Sequence, residues 1–147
     1  LHIAAATSDV ALLTLLLDHC KTSDQNALEK ISPEGFSPLG VSIVHRRKDL
    51  YDVLMEAGAK HYNVWPEMRG DAIHCCTLYP SAESLVIAKE ILKKHPRAIK
   101  VRDKTGRTPL HCAALRDYDE MIKILIDAGA DLSARDMDGY TPLGAAV

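Results

Sequence analysis

Between Asp103 and Arg135 the apolar residues fall into two clusters of helical spacing, divided by a polar break at Asp117-Tyr118. Leu110 to Arg116 predicts a short helix with Ala113 and Ala114 on its close-packing side. Met121, Ile122, Leu125 and Ile126 share one face of a second predicted helix, Met121 to Ala128. Turn chemistry marks the limits of both. Asp103-Lys104-Thr105-Gly106 places Asp first and Gly fourth, as a type I turn prefers. Thr108 predicts an N-cap, and Pro109 suits a first turn that needs no N–H. Gly129 predicts the left-handed residue that closes the second helix. The segment reads turn, helix, break, helix, glycine.

The same pattern returns along the chain. Thr108-Pro109-Leu110-His111 recurs as Thr141-Pro142-Leu143-Gly144, as Ser37-Pro38-Leu39-Gly40 and, degraded, as Asp71-Ala72-Ile73-His74. The chain opens on Leu1-His2, the tail of the same word. The apolar anchors Leu1, Leu39, Ile73, Leu110 and Leu143 are spaced by 38, 34, 37 and 33 residues. Ala57-Gly58-Ala59 matches Ala128-Gly129-Ala130, and Leu54-Met55, Ile91-Leu92 and Leu125-Ile126 fall in register. A word, an apolar pattern and a glycine in common register define a repeat. The approximate units are 1–31, 32–65, 66–102, 103–135 and 136–147.

These residues resemble the ankyrin repeat family, most closely at Asp103–Gly106, Thr108–His111, Ala113-Ala114 and Leu125–Asp131. The resemblance covers essentially the whole chain. It implies an all-α solenoid of about four and a half repeats, with helix pairs stacked in line and hairpin loops projecting from one edge. It also implies that His2, His74 and His111 hydrogen-bond near their helix starts. Several positions depart from the family pattern. The glycine between paired helices is replaced by Ser8, Arg46, Pro80 and Asp117. The third unit lacks Thr-Pro, its Gly70 sits one place late, and His95 occupies the slot of Gly58 and Gly129. A left-handed His95 would make this unit the weak link. Extra residues enter near Lys21–Lys30 and Tyr79–Ser84. Leu1 begins inside a capping motif and Val147 ends inside a first helix, so a piece of a longer array or a trimmed ordered core is expected.

Composition narrows the function. Of 147 residues, 47% are hydrophobic and 26% charged, which excludes disorder throughout; aromatics at 5% disfavour an all-β fold. Lys+Arg 18 against Asp+Glu 20 leaves a net charge of −2, so no global basic field exists for nucleic acid or an anionic membrane. The most apolar stretch, Val10 to Leu17, is far short of the roughly 20 residues of a membrane span. Neither Asn26 nor Asn63 begins a glycosylation motif. Cys20, Cys75, Cys76 and Cys112 are too sparse for a disulfide scaffold. Reduced thiols and an intracellular location, cytoplasm and/or nucleus, are expected.

No catalytic constellation is present, and neither a cofactor nor a metal is expected. His74-Cys75-Cys76 and His111-Cys112 have ligand-type residues, but they stand 37 residues apart at one repeat position. That places them about a repeat width from each other rather than around one ion. Charge is instead bipolar. Lys89–Arg107 holds eight basic and two acidic residues, and Asp117–Asp138 seven acidic and two basic, a surface able to steer a charged partner. The expected partner-binding residues lie at loop tips and on inner helices: Phe36, His45, Trp65, Met68, Lys104, Arg107, Arg116, Met137 and Tyr140. Lys48 and Lys123 read as solvated charges of the outer helices.

The resemblance therefore implies a non-enzymatic protein-protein interaction module, a scaffold in intracellular signalling. Its protein partner is unidentified, and neither direct nucleic-acid binding nor membrane insertion is expected. The loop spacing is similar to that of inhibitor-of-kappa-B-like regulators of transcription factors. A regulatory segment of a multidomain enzyme or ion channel is the other open reading.

Overall fold

The computed structural model describes residues 1–6, 9–23 and 26–146, with the side chains of 6 and 20–23 left aside. Ser8, Val147 and the Cys20 thiol, which figure in the sequence reading, lie outside this description. Nine α-helices form among the described residues. They are α1 His2–Ala6, α2 Val10–Ser23, α3 Pro38–Val44, α4 Lys48–Glu56, α5 Ala72–Leu78, α6 Ala82–Lys94, α7 Pro109–Ala114, α8 Asp119–Asp127 and α9 Pro142–Ala145. Short 3-10 turns add Ala27–Glu29, Pro66–Met68 and Pro96–Lys100. No regular strand occurs among the described residues; one isolated bridge joins Trp65 and Gly70. The chain is an all-helical ankyrin solenoid.

Two columns build the stack. The short helices α1, α3, α5, α7 and α9 pack in sequence as the inner column, and α2, α4, α6 and α8 form the outer one. Between the columns lie Leu13, Leu39, Ile43, Leu50, Leu54, Ile73, Ile87, Met121 and Leu125, all fully buried. Each such aliphatic side chain stabilises the fold by about 1.5–3 kcal/mol. Ile126 departs from expectation. It is exposed, because the inward face of α8 is filled by Met121 and Leu125.

Caps reproduce the helix-start chemistry with one substitution. Ser37 and Thr141 accept N–H groups from Gly40 and Gly144, and Thr108 forms a capping box with His111. Asp71 takes the place of the missing Thr-Pro and forms a capping box with His74, so the third pair is capped after all.

Where the family glycine is missing between helices, Arg46 and Asp117 adopt its left-handed backbone, at φ 59° and 49°. Such a conformation costs a non-glycine residue on the order of 1–2 kcal/mol. Pro80 cannot follow. The inserted residues instead supply Ser81, which starts the longer α6 through a capping box with Ser84. The left-handed turn slot of Gly35, Gly106 and Gly139 is taken in the third copy by Arg69, at φ 51°. This explains the late Gly70.

His95 does not take the left-handed role predicted for it. Its φ of −133° lies outside the left-handed region. Pro96 follows and opens a 3-10 turn, which draws the preceding residue away from helical angles. Lys48 is likewise no free surface charge, since its ammonium lies 2.6 Å from Asp52 and 3.1 Å from Glu90, tying α4 to α6.

Candidate functional site

The projecting edge is built from repeated acidic or hydroxyl-centred turns. Asp103 accepts the Thr105 and Arg107 N–H groups at 2.8 and 3.0 Å. Asp136 does the same for Asp138 and Tyr140 at 3.0 and 2.9 Å. Ser32 accepts the Phe36 N–H at 3.3 Å. Burial pushes the Asp136 carboxyl up, but the Tyr140 and Asp138 N–H donors and the Arg107 guanidinium hold it below the usual range.

Successive tips are themselves hydrogen-bonded. Lys104 N–H donates to Met68 O at 2.8 Å, and Met137 N–H to Thr105 O at 3.0 Å. Met68, Lys104 and Met137 therefore stand in one row. Met68 is half-buried and Lys104 exposed, while Met137 and Tyr140 are 75% and 55% exposed.

Three residues expected at the tips are placed differently. Phe36 is buried, and its ring packs against Trp65 at 4.9 Å and edge-on to Tyr79 at 6.1 Å between centroids. Gly40 makes the room, since a Cβ there would sit 3.2 Å from the Phe36 Cβ. Trp65 is half-buried and folds back onto Phe36 of the second unit rather than pointing outward. Arg107 is half-buried, with its Nε 3.5 Å from Asp136.

The motif histidines run as a ladder behind this edge. His2 Nε2 lies 3.1 Å from Phe36 O, His74 Nε2 3.3 Å from Arg107 O, and His111 Nε2 3.0 Å from Tyr140 O. On the capping side, His74 and His111 accept the Asp71 and Thr108 N–H groups through Nδ1. Both rings are thus engaged on two sides by their own chain. Burial lowers the His74 pKa against smaller opposing effects from the Arg107 carbonyl, Asp103 and Asp71. Cys75, Cys76 and Cys112 are free and buried. Burial pushes Cys75 and Cys112 to about 12 and Cys76 well up, so these thiols stay protonated and serve packing.

An open cleft of about 610 Å³ lies in the angle between the inner helices and the loops. Ile3, Phe36, Val41, Val44 and Tyr79 give it apolar walls, and His2, Glu34 and His45 rim it. His45 is exposed. Arg116, also exposed, donates to Leu78 O at 2.9 Å and closes the end of α5. The sequence reading singles out His45 and Arg116 but passes over Tyr79. The register carried that signal: each stands six residues after its anchor Leu39, Ile73 or Leu110.

The model for ankyrin repeats (three copies) matches residues 72–147, and the chain belongs to the ankyrin repeat family. Ankyrin repeats are protein-interaction modules. The chain is 30% identical over 113 residues to the target of rapamycin complex 2 subunit AVO2 of Saccharomyces cerevisiae, covering 76% of this chain and 26% of that protein. It is 54% identical over 44 residues to protein phosphatase 1 regulatory subunit 12A of Mus musculus, covering 30% of this chain and 4% of that protein. A putative E3 ubiquitin-protein ligase, XBAT31 of Arabidopsis thaliana, is 27% identical over 138 residues, with 88% of this chain and 29% of that protein covered. The chain thus spans less than a third of each of these relatives. No helix among the described residues is long and apolar enough to cross a membrane.

Proposed function

We propose that this chain is a non-catalytic segment that docks a protein partner along the inner helix face and the loop edge, within a larger intracellular regulatory protein. The observation that supports this most is the open apolar cleft beside Tyr79, Val44 and His45, continuous with the loops. Apolar walls with a few polar groups at the rim match the core-and-rim make-up of protein interfaces. His45, Arg116, Met68, Lys104, Met137 and Tyr140 belong to this surface. Phe36, Trp65 and Arg107 support it from behind.

The relatives' names, a complex subunit, a phosphatase regulatory subunit and a ligase, favour a regulatory segment of a multidomain protein. An inhibitor-of-kappa-B-like role is a narrower alternative that rests on loop spacing alone. The test is capture of partners from native extract by the wild-type chain, followed by affinity measurement with the purified partner. Tyr79→Ala and Met137→Ala are expected to weaken binding by about 1–3 kcal/mol, and Lys123→Ala to leave it unchanged. Retained affinity in both cleft and tip variants would move the interface elsewhere.

A further inference from the structure

A second surface lies away from the cleft, where α4 and α6 end and the chain turns outward. A hollow of about 440 Å³ opens there, lined by Tyr62, His95, Pro96, Arg97, Ala98 and Val101 over a floor of His61, with the Asp71 carboxylate in its wall. The His95 ring stacks on His61 with centroids 3.9 Å apart and planes at 23°. Tyr62 stands edge-on to His61 and is 50% exposed. Apart from Asp71 and Arg97, the walls are therefore aromatic and aliphatic.

The rim is cationic. Arg97 lines the hollow, Lys60 Nζ lies 5.8 Å from the Tyr62 ring centroid, and Lys94 borders the small adjoining cavity that shares His61 and His95. Lys93, near the end of α6, and Lys100, at the end of the following 3-10 turn, are exposed. Among the described residues none of these five cations is paired with a carboxylate. Asp71 in the hollow and Glu90 beside it are already engaged. Asp71 accepts the Asn63 N–H at 2.7 Å, and Glu90 binds Lys48 at 3.1 Å. Lys93 and Lys94 complement the C-terminal end of α6, whereas Arg97 and Lys100 stand on a 3-10 turn of only five residues and the Lys60 ammonium meets the Tyr62 ring.

We propose that this hollow and its rim form a second docking site, for a short acidic segment of a protein partner that carries one apolar side chain. Charge complementarity selects that occupant. The hollow takes the apolar side chain between Tyr62 and Val101, and the flanking carboxylates meet Lys60, Lys94, Arg97 and Lys100. An extended polyanion fits less well. The neighbouring Asp117–Asp138 region, with seven acidic against two basic residues, repels a long nucleic acid or a flat anionic bilayer.

A fluorescent synthetic peptide of Asp and Glu with one central Leu is the probe, titrated against the purified chain by polarisation. Binding is expected, weakening steeply with added salt. Lys94→Glu with Arg97→Glu should weaken it about tenfold or more. Tyr62→Ala should weaken it while the salt slope stays as in wild type. All these positions are on the surface, and unchanged thermal melts show that the variants fold. Equal binding of the peptide with Leu replaced by Glu would overturn the role of the hollow. No binding of either peptide would overturn the proposal. It also fails if phosphatidylserine vesicles or a single-stranded RNA bind more tightly through the same residues, or if the site is covered by self-association in sedimentation. None of these outcomes bears on the inner cleft, which is tested separately.

Discussion

In the α7–α8 pair, Thr108-Pro109 starts the first helix, left-handed Asp117 links the two, and Gly129 stops the second. In the α5–α6 pair, Asp71, Ser81 and His95-Pro96 hold the same three places. Both pairs bury their apolar faces in one continuous core, and each is fastened to the other by Tyr118. Its O–H donates to Ser81 O at 2.8 Å, and its oxygen lies 3.2 Å from Ser84 Oγ. The repeat thus constrains what each position must accomplish, namely an acceptor for a helix start, a change of direction and an end. It does not constrain the residue that accomplishes it. Asp substitutes for Thr because both present an oxygen to the same N–H groups. Proline substitutes for a left-handed glycine because either one ends a helix.

The strongest way to break this equivalence is to remove the buried imidazole from each pair. His74→Ala and His111→Ala each leave a cap N–H and a cross-unit carbonyl without a partner and open a cavity. Each should cost about 2–4 kcal/mol in denaturant unfolding. A cost at His74 far below that at His111 would show that the third pair does not depend on its replacement cap. The pH profile separates the two contributions of His74 further. Its folded pKa is below the ordinary value, so the unfolded chain binds more protons once pH falls under about 6.5. Stability should decline on the acid side from there, and His74→Ala should flatten part of that decline. An unaltered acid limb would place its origin elsewhere.

Helix stops come next. Gly129 has φ 87°, so Gly129→Ala should lose about 1–2 kcal/mol. His95→Gly should lose about 0.5–1 kcal/mol, because a residue with negative φ gains nothing from glycine and the chain entropy rises. Thermal melts that show a gain at His95 would contradict its observed angles. Tyr118→Phe should cost about 1 kcal/mol through the link to Ser81 and Ser84. Lys48→Ala should cost the least, about 0.2–1 kcal/mol and less in high salt. A larger loss would mean that the α4–α6 ion pairs carry more than surface chemistry supplies.

The stack was legible because its signals are local or periodic. Leu39, Ile73 and Leu110 announce buried anchors by spacing alone, and the three motif histidines announce the ladder. Exposure at the tips was not legible in the same way. Phe36 follows a turn glycine just as Tyr140 does, yet it is buried because Gly40, Trp65 and Tyr79 close around it. Those contacts join residues from two units, 32–65 and 66–102. Lys48 finds Glu90 across 42 positions, which no spacing rule anticipates. His95 is the opposite case. Its neighbour Pro96 carried the correct signal locally, but register with Gly58 and Gly129 suggested otherwise.

Trp65 is the chain's single tryptophan, and it sits at one joint of the stack, with its ring 4.9 Å from Phe36. Its intrinsic fluorescence is therefore a local optical probe. Emission reddens as water reaches the indole, so the spectrum follows the α3–α5 joint, while circular dichroism follows the helices as a whole. Coincident curves from the two signals mean that the array opens as one cooperative body. A fluorescence change at milder conditions than the loss of helix means that the array parts first beside Phe36. The protein carries its own gauge of where along its length it comes apart.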